Sequence, residues 1–281
     1  MRNKIIIIVL ISVFFSCNND DKVIELTIAG DKKYSEKNYS EAIKIYGEAL
    51  KKNSSDEKSS VLHLKTGNAF NELEDYKSAI LSFNTAVEIN ANNSSAYGSR
   101  AFAEEHIGLI EAALSDYTKA ISIDSSSAKF YNNRGDLHRK LKNYNIALID
   151  LTNAIQIDTN LFEAYNNRGN LYDEMDMRKE ALIDYDKAIS INPNNNIIFF
   201  NRGVSKFYLK DFKGALIDFD RAILLNPKES NYYLNRAYAK NKLNNFDGAC
   251  QDWYKSSQMG NQEAKEYLTK ACKSEAPPSR N

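Results

Sequence analysis

A 34-residue period runs through this chain, and it constrains the fold more than any single motif does. YNNRGDLHRK begins at Tyr131 and YNNRGNLYDE at Tyr165. ALIDL follows the first at Ala147 and ALIDYDKAI the second at Ala181; FFNRG and ALIDFDRAI return at Phe199 and Ala215. Cuts at Ser60, Ser94, Ala128, Phe162, Asn196 and Ser230 give six gapless units of 34 residues. A seventh, Val23 to Asp56, joins the frame after an insertion, Glu57 to Ser59. Such self-similarity marks stacked units, each too small to bury its own apolar face without its neighbours. Most of the 281 residues therefore form one quasi-linear array, and length alone would miscount the domains.

Inside each unit the apolar places recur at helical spacing with one break. In the unit from Phe162 to Asn195, Tyr165, Gly169 and Tyr172 share a helix face, and Asp176 to Arg178 interrupt it. Ala181, Tyr185, Ala188 and Ile191 then mark a second helix, which Asn192-Pro193 stops. The twentieth place is Ala in all seven units, from Ala42 to Ala249, and the eighth is Gly or Ala. Opposite the small eighth place stands a large residue: Tyr46, Phe83, Tyr117, Leu151, Tyr185, Phe219 or Trp253. Antiparallel helices approach closely only where one side supplies the hole.

Period, small-residue places and helix–turn–helix layout resemble the tetratricopeptide repeat, over about nine tenths of the chain. The departures are a polar eleventh place (Glu104, Lys206, Lys240) and a terminal Pro only at Pro193 and Pro227. The resemblance implies an all-α fold, a right-handed α-solenoid of seven helical hairpins at 23–56, 60–93, 94–127, 128–161, 162–195, 196–229 and 230–263. Ala264, Tyr267, Leu268 and Ala271 predict a capping helix over 264–272, and the polar stretch 273–281 a disordered tail.

An Arg holds the seventh place in five units and an Asp the twenty-third in the same five. The pairs are Arg100 with Asp116, Arg134 with Asp150, Arg168 with Asp184, Arg202 with Asp218, and Arg236 with Asp252. The first two units lack both, carrying Ala29 and Ile45, then Thr66 and Ser82. Residues that appear and vanish together form a physical pair. In a hairpin turning near the sixteenth place the two lie at one height, so pairing is expected within each unit. A ladder of identical pairs reads as architecture rather than as an acid–base or metal array.

Asn fills the sixth place in four consecutive units, as Asn133, Asn167, Asn201 and Asn235. That place points about 100° from the Arg on a helix, toward the groove of the stacked first helices. The row resembles the asparagine ladder in the repeats of O-linked N-acetylglucosamine transferases, which implies amides that donate to and accept from a peptide backbone. An ordinary helix surface in an Asn-rich chain explains it equally. Beside it, Phe200, Phe207, Tyr208 and Tyr238 supply rings that either anchor a peptide side chain or pack between repeats.

The chain opens MRNK, then an apolar run from Ile5 to Phe15, then Ser16-Cys17. Eleven apolar residues are too few to span a bilayer but suit a secretory leader. FFSC resembles a bacterial lipoprotein signal, which implies a leader at 1–16, lipidation of Cys17 and a tether at 17–22; a plain signal peptide with an incidental Cys is the alternative. Cys250 and Cys272 then remain in an exported protein. Antiparallel packing of the last helices predicts them within about a turn in height, as a disulfide or as two buried thiols.

Lys plus Arg equals Asp plus Glu at 37 each, and removal of Arg2 and Lys4 with the leader leaves 35 against 37. No basic stripe for nucleic acid follows from that balance. Phosphate loops, nucleophile elbows and metal-ligand spacings are absent from the sequence, and His63, His106 and His138 stand at three different registers. No catalytic residue, metal, cofactor or small-molecule substrate is expected. The resemblances imply a non-catalytic scaffold in the bacterial cell envelope, lipid-anchored to the outer membrane, binding a partner protein or an extended peptide. A structural subunit of an outer-membrane assembly is the second class, and a glycan-binding lipoprotein or enzyme the third.

Overall fold

The structure, a computed structural model, describes residues 20–53 and 55–272. The leader, Cys17 and the expected tail at 273–281 lie outside these residues. Among the described residues regular structure is α-helical throughout. The helices group into two compact units, the first reaching Leu137 and the second starting at His138.

The first unit holds α1 (20–35), α2 (Tyr39–Lys52), α3 (Asp56–Glu72), α4 (Tyr76–Ile89), α5 (Ser94–His106), α6 (Ile110–Ile123) and the body of α7 (Ala128–Lys140). The second holds α8 (Tyr144–Ile157), α9 (Phe162–Glu174), α10 (Arg178–Ile191), α11 (Asn196–Tyr208), α12 (Phe212–Leu225), α13 (Ser230–Lys242), α14 (Phe246–Gln258) and α15 (Gln262–Ala271). Within each unit the helices of a hairpin pack together, as α3 on α4 and α11 on α12, and a second helix packs on the first of the hairpin after it, as α4 on α5 and α12 on α13.

The turns have one design. The N–H of the sixteenth place donates to the eleventh-place carbonyl, from Asp75 to Phe70 at 3.0 Å and from Asp211 to Lys206 at 2.9 Å. This six-to-one closure needs a left-handed residue at the fifteenth place. Gly108 supplies it at φ 82°, whereas Lys37, Glu74, Lys142, Asp176, Lys210 and Asn244 accept φ of 59–66° with a Cβ in place. The next helix is then capped where the sixteenth place carries Asn or Asp: Asn38, Asp75, Asp211 and Asn245 each accept a first-turn N–H.

Close approach explains the small eighth place. A Cβ added to Gly203 would lie 2.7 Å from the Phe219 ring, and one on Gly67 2.4 Å from Phe83. Both rings are fully buried.

Three boundaries differ from the sequence expectation. The second hairpin opens before Ser60: the insertion Glu57 to Ser59 lies within α3, which runs 17 residues from Asp56. Residues 20–22, expected in the tether, already belong to α1. The capping helix begins at Gln262, because Asn261 accepts the Ala264 N–H and starts the helix two residues early.

Cys250 on α14 and Cys272 after α15 are joined as a disulfide, with Cα atoms 5.8 Å apart. Both pack on the cluster around Trp253. Closing a loop with a sequence separation of 22 should stabilise by about 3 kcal/mol. Denaturant midpoints with and without reductant read that loss, and a thiol count in denaturant that finds two free thiols would remove the bond altogether.

Candidate binding groove

Arg–Asp pairs join the two helices of the hairpins that carry them. In the first unit Arg100 donates from Nε to Asp116 Oδ2 at 2.5 Å and from Nη2 to Oδ1 at 2.9 Å. In the second, the same fork joins Arg168 to Asp184 at 2.7 and 2.8 Å, Arg202 to Asp218 at 2.9 and 2.5 Å, and Arg236 to Asp252 at 2.8 and 2.6 Å. Asp150, at the corresponding place, is also buried. The carboxylate bonds hold the Arg100 and Arg168 guanidinium groups above their ordinary pKa, against the opposing pull of burial.

The remaining guanidinium arm does something the sequence reading missed. Nη1 reaches back to the hairpin before: Arg100 to Asn84 at 2.7 Å, Arg134 to Thr118 at 3.1 Å, Arg168 to Thr152 at 3.3 Å, Arg202 to Asp186 and Arg236 to Asp220, both at 2.7 Å. Every acceptor sits sixteen residues before its Arg, and every one carries a side-chain oxygen. An aromatic ring at the fourth place completes the enclosure, with Arg100 lying 5.3 Å from the Tyr97 ring centroid and Arg236 5.6 Å from that of Tyr233. The YNNRG signature thus spells ring, guanidinium and hole on one helix.

The eleventh place tunes each pair. Lys206 and Lys240 give Asp218 and Asp252 a second cation at 2.7 Å. In the first unit the same place is Glu104, buried, 3.9 Å from Arg100 Nε, with Oε2 lacking any hydrogen-bond partner. Burial and the neighbouring Asp116 push its carboxyl up to about 7, against the pull of Arg100. A folded-state pKa raised above the unfolded one gives stability that is full below the unfolded value and lost as pH rises through about 7. Glu104→Gln should therefore stabilise by about 1–2 kcal/mol at pH 8, after discounting for screening, and by little at pH 5. Urea unfolding of both proteins at the two pH values checks the sign.

The expected Asn row divides. Asn201 donates to Asn166 Oδ1 at 3.1 Å and to Asn170 Oδ1 at 3.0 Å, tying α11 to α9. Asn235 donates back to the Asn231 carbonyl of its own helix at 2.9 Å. Asn133 accepts from Asn132 at 3.1 Å, and Asn167 is half-buried with a partner of its own. Around Asn201 lies a polar network. Tyr185 Oη is 2.8 Å from both Asn170 Oδ1 and Asp173 Oδ2, Ser205 Oγ donates to Asp173, and Arg178 approaches Asp173 at 3.4 Å. Burial, then the Asp173 carboxylate, pushes the Tyr185 phenol well above its ordinary pKa.

The four expected rings do not form one exposed cluster. Phe200 packs on Tyr232 at 4.9 Å and Phe219 at 5.9 Å, and Phe207 on Phe212 at 5.2 Å. Tyr238 lies under α15, edge-on to Tyr267 at 5.1 Å, with Oη donating to Glu263 at 2.6 Å. Tyr208 alone of the four is open, 61% exposed beneath the Arg178 guanidinium. Stacking of repeats consumes the rings, because their places on the first helix face the next hairpin as well as the groove.

The first unit carries an open groove that sequence reasoning did not single out. A cavity of ≈ 580 Å³ runs across α3, α5 and α7, floored by Gly98 and Ser99 and walled by Asn68, Asn71, Phe130 and Asn133. Asn71 donates weakly to the Ser99 carbonyl at 3.4 Å, and its Oδ1 is buried without a hydrogen-bond partner. Gly98 is required there, since a Cβ would come 2.3 Å from the Phe130 ring. Among the described residues no cluster of His, Cys, Asp and Glu could hold a metal ion, and no helix is long and apolar enough to cross a membrane.

The family model of the tetratricopeptide repeat matches residues 29–94, 128–161 and 162–195. The chain thus carries tetratricopeptide repeats. No curated protein matches the sequence. Among solved structures, a tetratricopeptide repeat protein from Parabacteroides merdae superimposes with a TM-score of 0.67 at 20% identity, covering 90% of this chain and 100% of its own. PilW, a type IV pilus biogenesis factor, gives 0.69 at 18% identity over 74% of this chain and 98% of its own. YrrB, a repeat protein with an unusual peptide-binding site, gives 0.52 at 20% identity over 70% and 97%. These likenesses establish the fold.

Proposed function

We propose that the protein is a non-catalytic scaffold of the bacterial cell envelope, lipid-anchored at Cys17, that holds an extended peptide segment of a partner protein. The groove across α3, α5 and α7 carries this reading. Its walls offer primary amides, which bind backbone N–H and C=O without demanding a sequence. The leader and Cys17 support the anchor. The likeness to PilW supports a role in envelope assembly, and that to YrrB supports peptide binding.

Crosslinking in intact cells followed by mass spectrometry identifies the partner, and a peptide from the crosslinked segment then allows titration. Asn68→Ala with Asn71→Ala should weaken that peptide about ten- to a hundredfold, since each lost hydrogen bond costs about 0.5–1.5 kcal/mol. Its melting temperature should barely move. Asn201→Ala should do the reverse, lowering stability because its amide bridges α9 and α11. Normal binding by the double variant would remove the groove from the reading.

A further inference from the structure

The first hairpin leaves an apolar mouth that nothing in the described chain covers. Val23, Ile24 and Ile28 on α1 face Val61 and Leu62 on α3 across a cavity of ≈ 380 Å³. Ile24 is 50% exposed, Ile28 63% and Val61 42%. The last hairpin is unlike it: there α15 seals the apolar cluster, and Trp253 is buried beneath. Polar groups ring the mouth without closing it, with Lys58 paired to Asp20 at 2.8 Å and Lys22 to Glu25 at 3.0 Å.

We infer that this mouth is a membrane-docking face, seated in the headgroup–acyl boundary of the bilayer that holds the Cys17 lipid. The inference rests on the anchored reading of the leader. Residue 20, in the helical part of α1, follows Cys17 by three residues and so lies within about 10 Å of it along the chain. Ile28 follows about 12 Å further along the helix at about 1.5 Å per residue. Acyl chains fixed that close hold the exposed aliphatic residues at the depth where amphipathic surfaces insert, about 5–10 Å into the interface. The chemistry fits as well: the mouth presents aliphatic side chains, Lys58 and Lys22 beside it are paired, and Glu57 on its rim is exposed, at a height where it stays among the headgroups. A lipid on Cys17 fixes position only; an apolar face beside it fixes orientation. Docked this way, the first unit is held at a set angle to the bilayer by its first hairpin.

The test uses the full lipidated protein in vesicles of phosphatidylethanolamine and phosphatidylglycerol, with an environment-sensitive fluorophore on Ile28→Cys, Val61→Cys or, as control, Ile183→Cys. The control position is 69% exposed on α10 of the second unit. Expected is blue-shifted emission and several-fold stronger quenching by bilayer nitroxides at 28 and 61 than at 183. Emission that shifts without nitroxide quenching means that protein covers the mouth, a second copy or a partner segment, and overturns the bilayer assignment. Mass spectrometry of the same preparation reads the acyl mass on Cys17. Its absence overturns the anchor and the docking together. An acylated chain whose labels stay in water overturns the docking face alone.

Discussion

Asp218→Ala should destabilise the second unit by about 3–5 kcal/mol, the loss expected when one partner of a buried ion pair is removed. Asp218 is 1% exposed and satisfies two cations, Arg202 through both oxygens and Lys206 at 2.7 Å. The substitution strands both cations between α11 and α12. Asp186→Ala makes the contrast. It removes another carboxylate from the same guanidinium, at the same 2.7 Å, but Asp186 is 63% exposed and its bond is worth about 0–1 kcal/mol. Urea titration of the two variants should separate them by several kcal/mol. Equal, small losses would mean that water reaches Asp218 and that the ladder is surface decoration.

Trp253→Ala should cost about 3–5 kcal/mol, while Trp253→Phe should cost far less. The indole is 1% exposed, stacked on Tyr267 at 5.3 Å and edge-on to Tyr238 at 6.1 Å. Its N–H finds no partner in the core, so replacing it by Phe removes an unsatisfied donor along with some packing area. Phe already fills this place in two hairpins, as Phe83 and Phe219. In a repeat array the loss of an end anchor acts locally. Amide exchange in Trp253→Ala should accelerate in α13, α14 and α15 and leave α9 and α10 protected. Uniform acceleration across the unit would show instead that the hairpins melt as one.

The sequence makes the hairpins legible because their code is redundant. Small eighth and twentieth places, a large twenty-fourth and a break between them recur seven times, so no single residue has to be read correctly. The Arg–Asp pairs are legible for the same reason, through joint presence and joint absence. The reach of each Arg to the hairpin before is written at the same spacing, but the acceptors are Asn84, Thr118, Thr152, Asp186 and Asp220. Three residue types performing one task hide a period that one residue type would expose. Groove availability is illegible for a different reason. Asn133 and Asn201 occupy the same place, yet Asn201 is engaged by Asn166 and Asn170, which belong to the neighbouring hairpin. Such engagement depends on what the next repeat presents, and a pattern along one helix carries no record of it. That residues 20–22 are helical is not legible, because NNDDK reads as a solvated tether and acidic residues on a helix look no different.

The backward arm of each Arg also bears on how such a chain can change length. Arg202 now meets Asp186, and Arg168 meets Thr152. Excision of residues 162–195 would bring Arg202 against Thr152, an oxygen that already serves an identical guanidinium. Duplication of the same block would offer Asp186 to a second copy of Arg168. Neither event creates an orphaned charge, because any side-chain oxygen at that place suffices and every hairpin that carries the Arg carries its own Asp. Gene-level gain or loss of a whole block is therefore nearly silent at the joints, whereas a slip of one residue would break ring, fork and arm at once. Selection on partner size can act on the number of hairpins without first repairing the seams between them.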